Sequence, residues 1–410
     1  MSKHEKQLAK YAELAVKVGI NIQPGQTLVV TAPIAAAPFV RLAARTAYEG
    51  GAKNVHIEWN DDQVTRLKYE LAPDEAFLEY PRWRAQGWEE MAEAGAAFLS
   101  VVASDPDLLK GIDPQRIASA NKTAGEALKK WRTYPMSDKV SWTVVAVPSP
   151  AWAAKVFPDL PEGQQEDALW DAIFAATRVT AGDPVEAWES HLGTLDAKAE
   201  YLNARKYTAL RYTAPGTDLT VGLPDGHYWI SAGSENKEGT RFVANMPTEE
   251  VFTAPHKDKV NGKVHSTKPL SYGGTLIRDF TLVFKDGKVV DVEAAEGAEV
   301  LKRLVETDEG AARLGEVALV PHRSPISDTN LVFYNTLFDE NASCHLAVGN
   351  AYAFCLEGGK EMTQEQLAER GLNESIVHVD FMIGSAELDI DGVRPDGTTE
   401  PVMRSGNWAI

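Results

Sequence analysis

The chain has 410 residues, a length that suggests two or three domains, and its 44% hydrophobic and 24% charged composition is that of a globular protein in water. A formal net charge of -18 excludes a general nucleic-acid binder, which needs a basic surface, and favours cationic partners such as metal ions and amines. Two cysteines, Cys344 and Cys355, make no disulfide framework and suit a reducing cytoplasm.

The start, "MSKHEKQLAK", has no apolar run after its lysines, so a signal peptide is not expected. "EKQLAKYAELAVKVG" carries apolar residues at helical spacing, and Gly19 is expected to stop that helix. "TLVVTAPIAAAPFVRLAA" is the most apolar stretch, but Pro33, Pro38 and Arg41 interrupt it too often for a membrane span. It divides into a strand, "QTLVVTAP", and a helix, "PFVRLAARTAYEGG". Further strands are expected at "NVHIEW", "AAFLSVVA" and "VSWTVVAVP", with helix at "PQRIASANKTAGEALKKW". Strands alternating with helices in this way indicate βαβ units and a mostly parallel sheet. No G-x-G-x-x-G or Walker-type loop supports nucleotide binding.

Residues 162–205 read as helical, with a break at Gly182-Asp183-Pro184. The pattern then changes to period two. "KYTALRYTAPGTDLTVGLPDGHYW" alternates around Pro-Gly and Asp-Gly turns. "KVNGKVHS" and "LVFKDGKVVDV" hold Asn-Gly and Asp-Gly, and both read as tight hairpins. The expected organisation is an α/β domain over residues 1–205 and an α+β domain, rich in antiparallel sheet, over 206–410.

The chemistry-bearing residues gather in that second half. "IVHVDFMIG" is a strand-like run with His378 and Asp380 two residues apart, hence on one face, while Val379 and Phe381 take the other. An isolated His-x-Asp is commonly a satisfied core pair. The alternative is a metal site, which needs more ligands. "NMPTEEVFTAPH" supplies Glu249 and Glu250, "RLGEVALVPH" supplies Glu316, and "FDENASCHLAVGNAYAF" supplies Glu340, His345 and Tyr352. Each segment alone is explicable as a solvated turn or strand end. Together they form an oxygen-rich set with some imidazole, suited to Zn, Co or Mn and to two ions bridged by carboxylates. Cys344, beside His345, is expected to point away and pack in the core.

The strings "NMPTEEVFTAP", "DENASCHLAVGNAY" and "VHVDFMIGS" resemble signature segments of the thermophilic-type metallo-aminopeptidases, the aminopeptidase T and S group, and the resemblance runs across most of the chain. It implies metal ligands at Glu250, Glu316, His345, His378 and Asp380, with Tyr352 near the metals and Glu340 as a ligand or a base. It implies two divalent ions per subunit, of Zn, Co, Mn or Mg. The implied reaction is release of N-terminal residues from peptides by a metal-activated water at a dinuclear centre; its chemistry needs a carboxylate to take the water's proton, either Glu316 or Glu340, and offers Tyr352 as a metal ligand or an oxyanion donor. A homodimer is also implied, its N-terminal domains helping to enclose the sites and limiting substrates to peptides with a free N-terminus. The rival readings are a dinuclear phosphoesterase and a non-catalytic metal or peptide binder. The first would want Arg or Lys aimed at phosphate, and the signature segments contain neither.

Overall fold

Four apolar runs of the first half become neighbouring parallel strands: β1 (Thr27–Pro33), β2 (Asn54–Asn60), β3 (Ala97–Val102) and β4 (Trp142–Ala146). The computed structural model describes residues 3–103, 105, 107–272 and 275–410. β1 lies between β2 and β3, and β4 follows β3. β1 and β3 are buried almost throughout, as expected of parallel strands covered on both faces, whereas the edge strand β2 is largely exposed. Helix Lys3–Leu14 does not stop at Gly19. It continues as a π-helical turn over Ala15–Ile20, and Asn21, in the left-handed conformation, ends it.

The chain divides into two compact units, Met1–Ser190 with Gly233–Pro247, and His191–Ala232 with Thr248–Ile410. The division falls inside helix Pro184–Arg205, ahead of the single boundary near residue 205 read from the sequence. The break before that helix lies where expected: Asp183 Oδ1 accepts the Val185 and Glu186 N–H groups at 2.9 and 3.2 Å. The returning segment adds β5 (Asn245–Met246), which pairs in parallel with β4 as the fifth strand of the first unit's sheet.

The second unit holds two antiparallel sheets. In the larger, Ala209–Ala214 and Thr217–Gly222 form a hairpin, and Thr275–Lys285 returns as Lys288–Glu296. Asp286 and Gly287 both have positive φ in that second turn, the geometry that Asp-Gly favours. The hairpin read at Asn261-Gly262 is not formed. Val260–His265 is one uninterrupted strand. Gly262 is there because the neighbouring strand passes too close for a side chain: a Cβ would stand 2.1 Å from the Asp218 carbonyl oxygen.

The smaller sheet has four antiparallel strands in the order β6 (Val251–Thr253), β7 (Leu314–Leu319), β8 (His345–Gly349) and β9 (His378–Met382). β7 and β8 are buried along their whole length. Phe381 of β9 is buried against Phe280 of the larger sheet, ring centroids 5.7 Å apart. Burying such a side chain contributes about 1.5–3 kcal/mol. It also fixes which face of β9 points the other way. Among the described residues, no helix is long and apolar enough to cross a membrane.

Candidate metal centre

The register of the small sheet decides which side chains meet. On β8, His345, Ala347 and Gly349 share a face. Ala347 stands opposite Glu316 on one side and Asp380 on the other, and Gly349 stands opposite His378. Three of the proposed ligands therefore surround a row of minimal side chains, which leaves room above it. Glu316 reaches this face through a β-bulge. Leu314 pairs with Val348 and Glu316 with Ala347, so the bulge at Gly315 turns Glu316 onto the face that Leu314 avoids. Gly315 is required there, because a Cβ would lie 2.2 Å from the Asn350 carbonyl oxygen.

The polar atoms converge. His345 Nε2 is 3.2 Å from Glu250 Oε2 and 3.4 Å from Glu316 Oε1. His378 Nε2 is 3.6 Å from Glu316 Oε2 and 3.4 Å from Asp380 Oδ1. Two groups result, Glu250–Glu316–His345 and Glu316–His378–Asp380, each with its ligand atoms within 4.8 Å of one another. Glu316 belongs to both, and presents one carboxylate oxygen to each histidine. On the other side of each ring, Nδ1 faces a backbone carbonyl: Ser343 O at 3.1 Å from His345 and Asn350 O at 2.7 Å from His378. A proton on Nδ1 satisfies those contacts and leaves the Nε2 lone pair aimed into the cluster, the arrangement found in metal-binding histidines.

The electrostatics show what the cluster needs. Burial lifts the Glu316 carboxyl above its ordinary range; His345 and His378 oppose that lift, and Asp380 and Glu250 reinforce it. Burial works against a charged His345, yet the Glu250 and Glu316 carboxylates outweigh it and hold its pKa well above the usual value. Burial likewise opposes protonation of His378, but Asp380 and Glu316 push it up to about 10. Burial would raise Asp380; the two imidazoles bring it below the ordinary value instead. Among the described residues, buried Asp380 Oδ1 has the 3.4 Å approach of His378 Nε2 but no partner in hydrogen-bond geometry. These are groups that call for positive charge, and the donor set of carboxylate and imidazole fits a divalent transition ion. An orphaned buried carboxylate oxygen is the atom such an ion would satisfy.

Glu340 lies outside both ligand groups, on a 3₁₀ turn ahead of β8. Burial and then the Asp380 and Glu250 carboxylates push its carboxyl well above the ordinary range. Tyr352 rests against His378 with ring centroids 4.9 Å apart and stacks on Phe354. Burial and the surrounding carboxylates, Glu316 first, hold its phenol well above its usual pKa, hence protonated. Glu249 points away from Glu250: its Oε2 is 3.6 Å from His191 on the long helix. Cys344 is buried on the other face from His345, with its thiol 3.2 Å from the Val320 carbonyl oxygen. The sequence reading missed Asn341 and His191. Asn341 sits beside Glu340 but carried no spacing signal, and His191 lies 57 residues from the carbonyl it meets.

The profile of a family described as thermophilic metalloprotease (M29) matches residues 4–408. The chain belongs to the M29 family. Members and relatives agree along the whole length. Aminopeptidase AmpS of Bacillus subtilis is 59% identical over 410 residues, 100% of each chain. Aminopeptidase 2 of Geobacillus stearothermophilus is 58% identical over 100% of this chain and 99% of its own. The solved structure of wild-type AmpT from Thermus thermophilus, 46% identical, matches with a TM-score of 0.94 over 98% of this chain and 99% of that one. As an M29 metalloprotease, the protein requires a divalent metal ion, and the carboxylate and histidine groups above are its candidate ligands.

Proposed function

We propose that this M29 protein is a metal-dependent aminopeptidase that holds two divalent ions, one at Glu250, Glu316 and His345 and one at Glu316, His378 and Asp380. The observation that carries the reading is Glu316, whose two oxygens serve two separate histidines within one sheet face. The charge count supports two ions as well. Glu250, Glu316, Glu340 and Asp380 bear four negative charges when ionised, which two divalent cations balance. Zn, Co, Mn and Mg all fit oxygen-rich sets of this kind.

Bound ions supply Lewis acidity, lowering the pKa of water and polarising the scissile carbonyl. The protein's own groups do the rest. Glu340, free of both ligand groups, accepts a proton from the attacking water on a carboxylate oxygen and delivers it to the leaving nitrogen. Glu316 is the alternative base, but it is engaged on both oxygens. Tyr352, kept protonated, donates its phenolic hydrogen bond to the developing oxyanion. A carboxylate-rich site attracts the free α-ammonium of a peptide, which accounts for action at the chain end. The name aminopeptidase borne by the relatives supports the same substrate. The buried free thiols of Cys344 and Cys355 suit a cytoplasmic setting.

The test uses leucinamide and its N-acetyl derivative. Hydrolysis of leucinamide is expected to vanish when metal is stripped and to return with Co²⁺, Zn²⁺ or Mn²⁺, and the acetylated compound is expected to be inert. Full activity in protein verified to be metal-free would refute the metal requirement. Equal cleavage of both compounds would refute recognition of the amine.

A further inference from the structure

Four of the proposed ligands stand on strands, where ladder hydrogen bonds fix the backbone. Glu250 does not. Thr248, Glu249 and Glu250 lie between β5 and β6 without strand geometry. A carboxylate reaching into a cluster from irregular backbone needs some other restraint, since a rotation of the peptides leading to it would swing it away.

The Thr248–Glu249 peptide, one residue before the peptide that carries the Glu250 N–H, is gripped on both edges. The Thr248 carbonyl lies 2.8 Å from His191 Nε2, the nitrogen placed to donate to it. The Glu249 N–H donates to Asn341 Oδ1 at 2.8 Å. The C=O and N–H of one trans peptide point in opposite directions, so the two side chains hold it from opposite sides. Asn341 has no exposed surface, and its amide is itself anchored: Nδ2 donates to the Leu337 carbonyl at 3.1 Å and lies 3.4 Å from Glu340 Oε1. The same amide thus ties the turn bearing Glu340 to the segment bearing Glu250. His191 adds a contact of 3.6 Å to Glu249 Oε2, which keeps that side chain turned away from the cluster.

We propose that Asn341 and His191 are positioning residues of the metal centre: they clamp the Thr248–Glu249 peptide and thereby place the Glu250 carboxylate beside Glu316 and His345. The inference rests on Glu250 being a metal ligand. Both act through the Thr248–Glu249 peptide, so their effect is felt first in metal affinity.

The experiment is a Zn²⁺ titration of the full-length apoprotein against a competing chromophoric chelator, with far-ultraviolet circular dichroism as the check on folding. Asn341→Ala and His191→Leu are each expected to weaken one Zn²⁺ equivalent about 10–100-fold, the range for groups that orient metal ligands. His191→Gln, whose amide N–H reaches a similar place, is expected to restore most of the affinity. Glu250→Gln serves as the reference for the ligand itself. Native-like Zn²⁺ affinity in Asn341→Ala and His191→Leu, alongside loss in Glu250→Gln, would overturn the clamp while leaving the ligand assignment standing. Undiminished affinity in Glu250→Gln would remove the ligand assignment instead. Should Asn341→Ala fail to fold, the contrast between His191→Leu and His191→Gln still decides.

Discussion

Adjacent residues with the same chemistry have different surroundings here. Glu250 Oε2 stands 3.2 Å from His345, whereas Glu249 Oε2 faces His191. Glu250→Gln keeps the shape and removes one anionic oxygen from the cluster. Its kcat/KM is expected to fall about 10²–10³-fold, corresponding to about 3–4 kcal/mol of lost stabilisation. Glu249→Gln is expected to cost about tenfold at most, through its neighbours rather than through a lost ligand. Bound metal per chain measured beside kcat/KM checks the pair. Loss of metal in Glu249→Gln with retention in Glu250→Gln would place the ligand register one residue off. Alternation along an extended segment said only that these two side chains part. The choice between them came from the resemblance, and it is this choice that the two variants test.

At the scale of elements, the shared carboxylate of Glu316 depends on an irregularity. A regular β7 would put Leu314 and Glu316 on the same face; the bulge separates them and turns Glu316 toward His345 and His378. Gly315→Ala would force a Cβ to within 2.2 Å of the Asn350 carbonyl and 2.4 Å of the Gly349 carbonyl. Relieving that contact moves backbone in a fully buried strand, so urea unfolding is expected to show a loss of about 1–3 kcal/mol. Metal content is expected to fall with it, because the bulge aims the shared carboxylate. A native urea midpoint with full metal content would show that the bulge is dispensable. The strands themselves were legible: apolar runs bounded by Gly and Pro became β1 to β4, and the alternation in "IVHVDFMIG" placed His378 and Asp380 on one face. The Asn-Gly at residues 261–262 was misread because a turn and a close strand crossing both demand glycine. Only the neighbour at Asp218 distinguishes them.

At the scale of the whole molecule, the homodimer implied by the resemblance has a candidate surface in the first unit. Val64, Leu67 and Leu71 recur at helical spacing on helix Asp62–Leu71 and are 64%, 51% and 76% exposed. An apolar stripe left in water on one helix face is the kind of patch that association covers. Light scattering is expected to give twice the 44.7 kDa mass of the chain at micromolar concentration. A mass of 44.7 kDa would remove the dimer from the reading. A strongly negative chain must still associate against its own charge, so the dimer is expected to tighten as salt rises.

Hydrophobic period and turn residues are local, so the sequence alone established an α/β first half, an antiparallel second half and the face shared by His378 and Asp380. Residue types alone supplied an oxygen-rich set with some imidazole, and only the resemblance of short segments singled out Glu250, Glu316, His345, His378 and Asp380 as candidate ligands. What lay beyond it depended on pairing between distant segments. Residues 245–246 join the first unit's sheet because they meet β4, about a hundred residues earlier in the chain. Glu316 is shared between two histidines because a bulge shifts its register against β8. The Thr248–Glu249 peptide is held by His191 and Asn341, which lie 57 and 92 residues away from their respective partners. None of these contacts leaves a periodic trace, since each is set by the folding of two remote backbones onto one another, and they decided where the carboxylates converge.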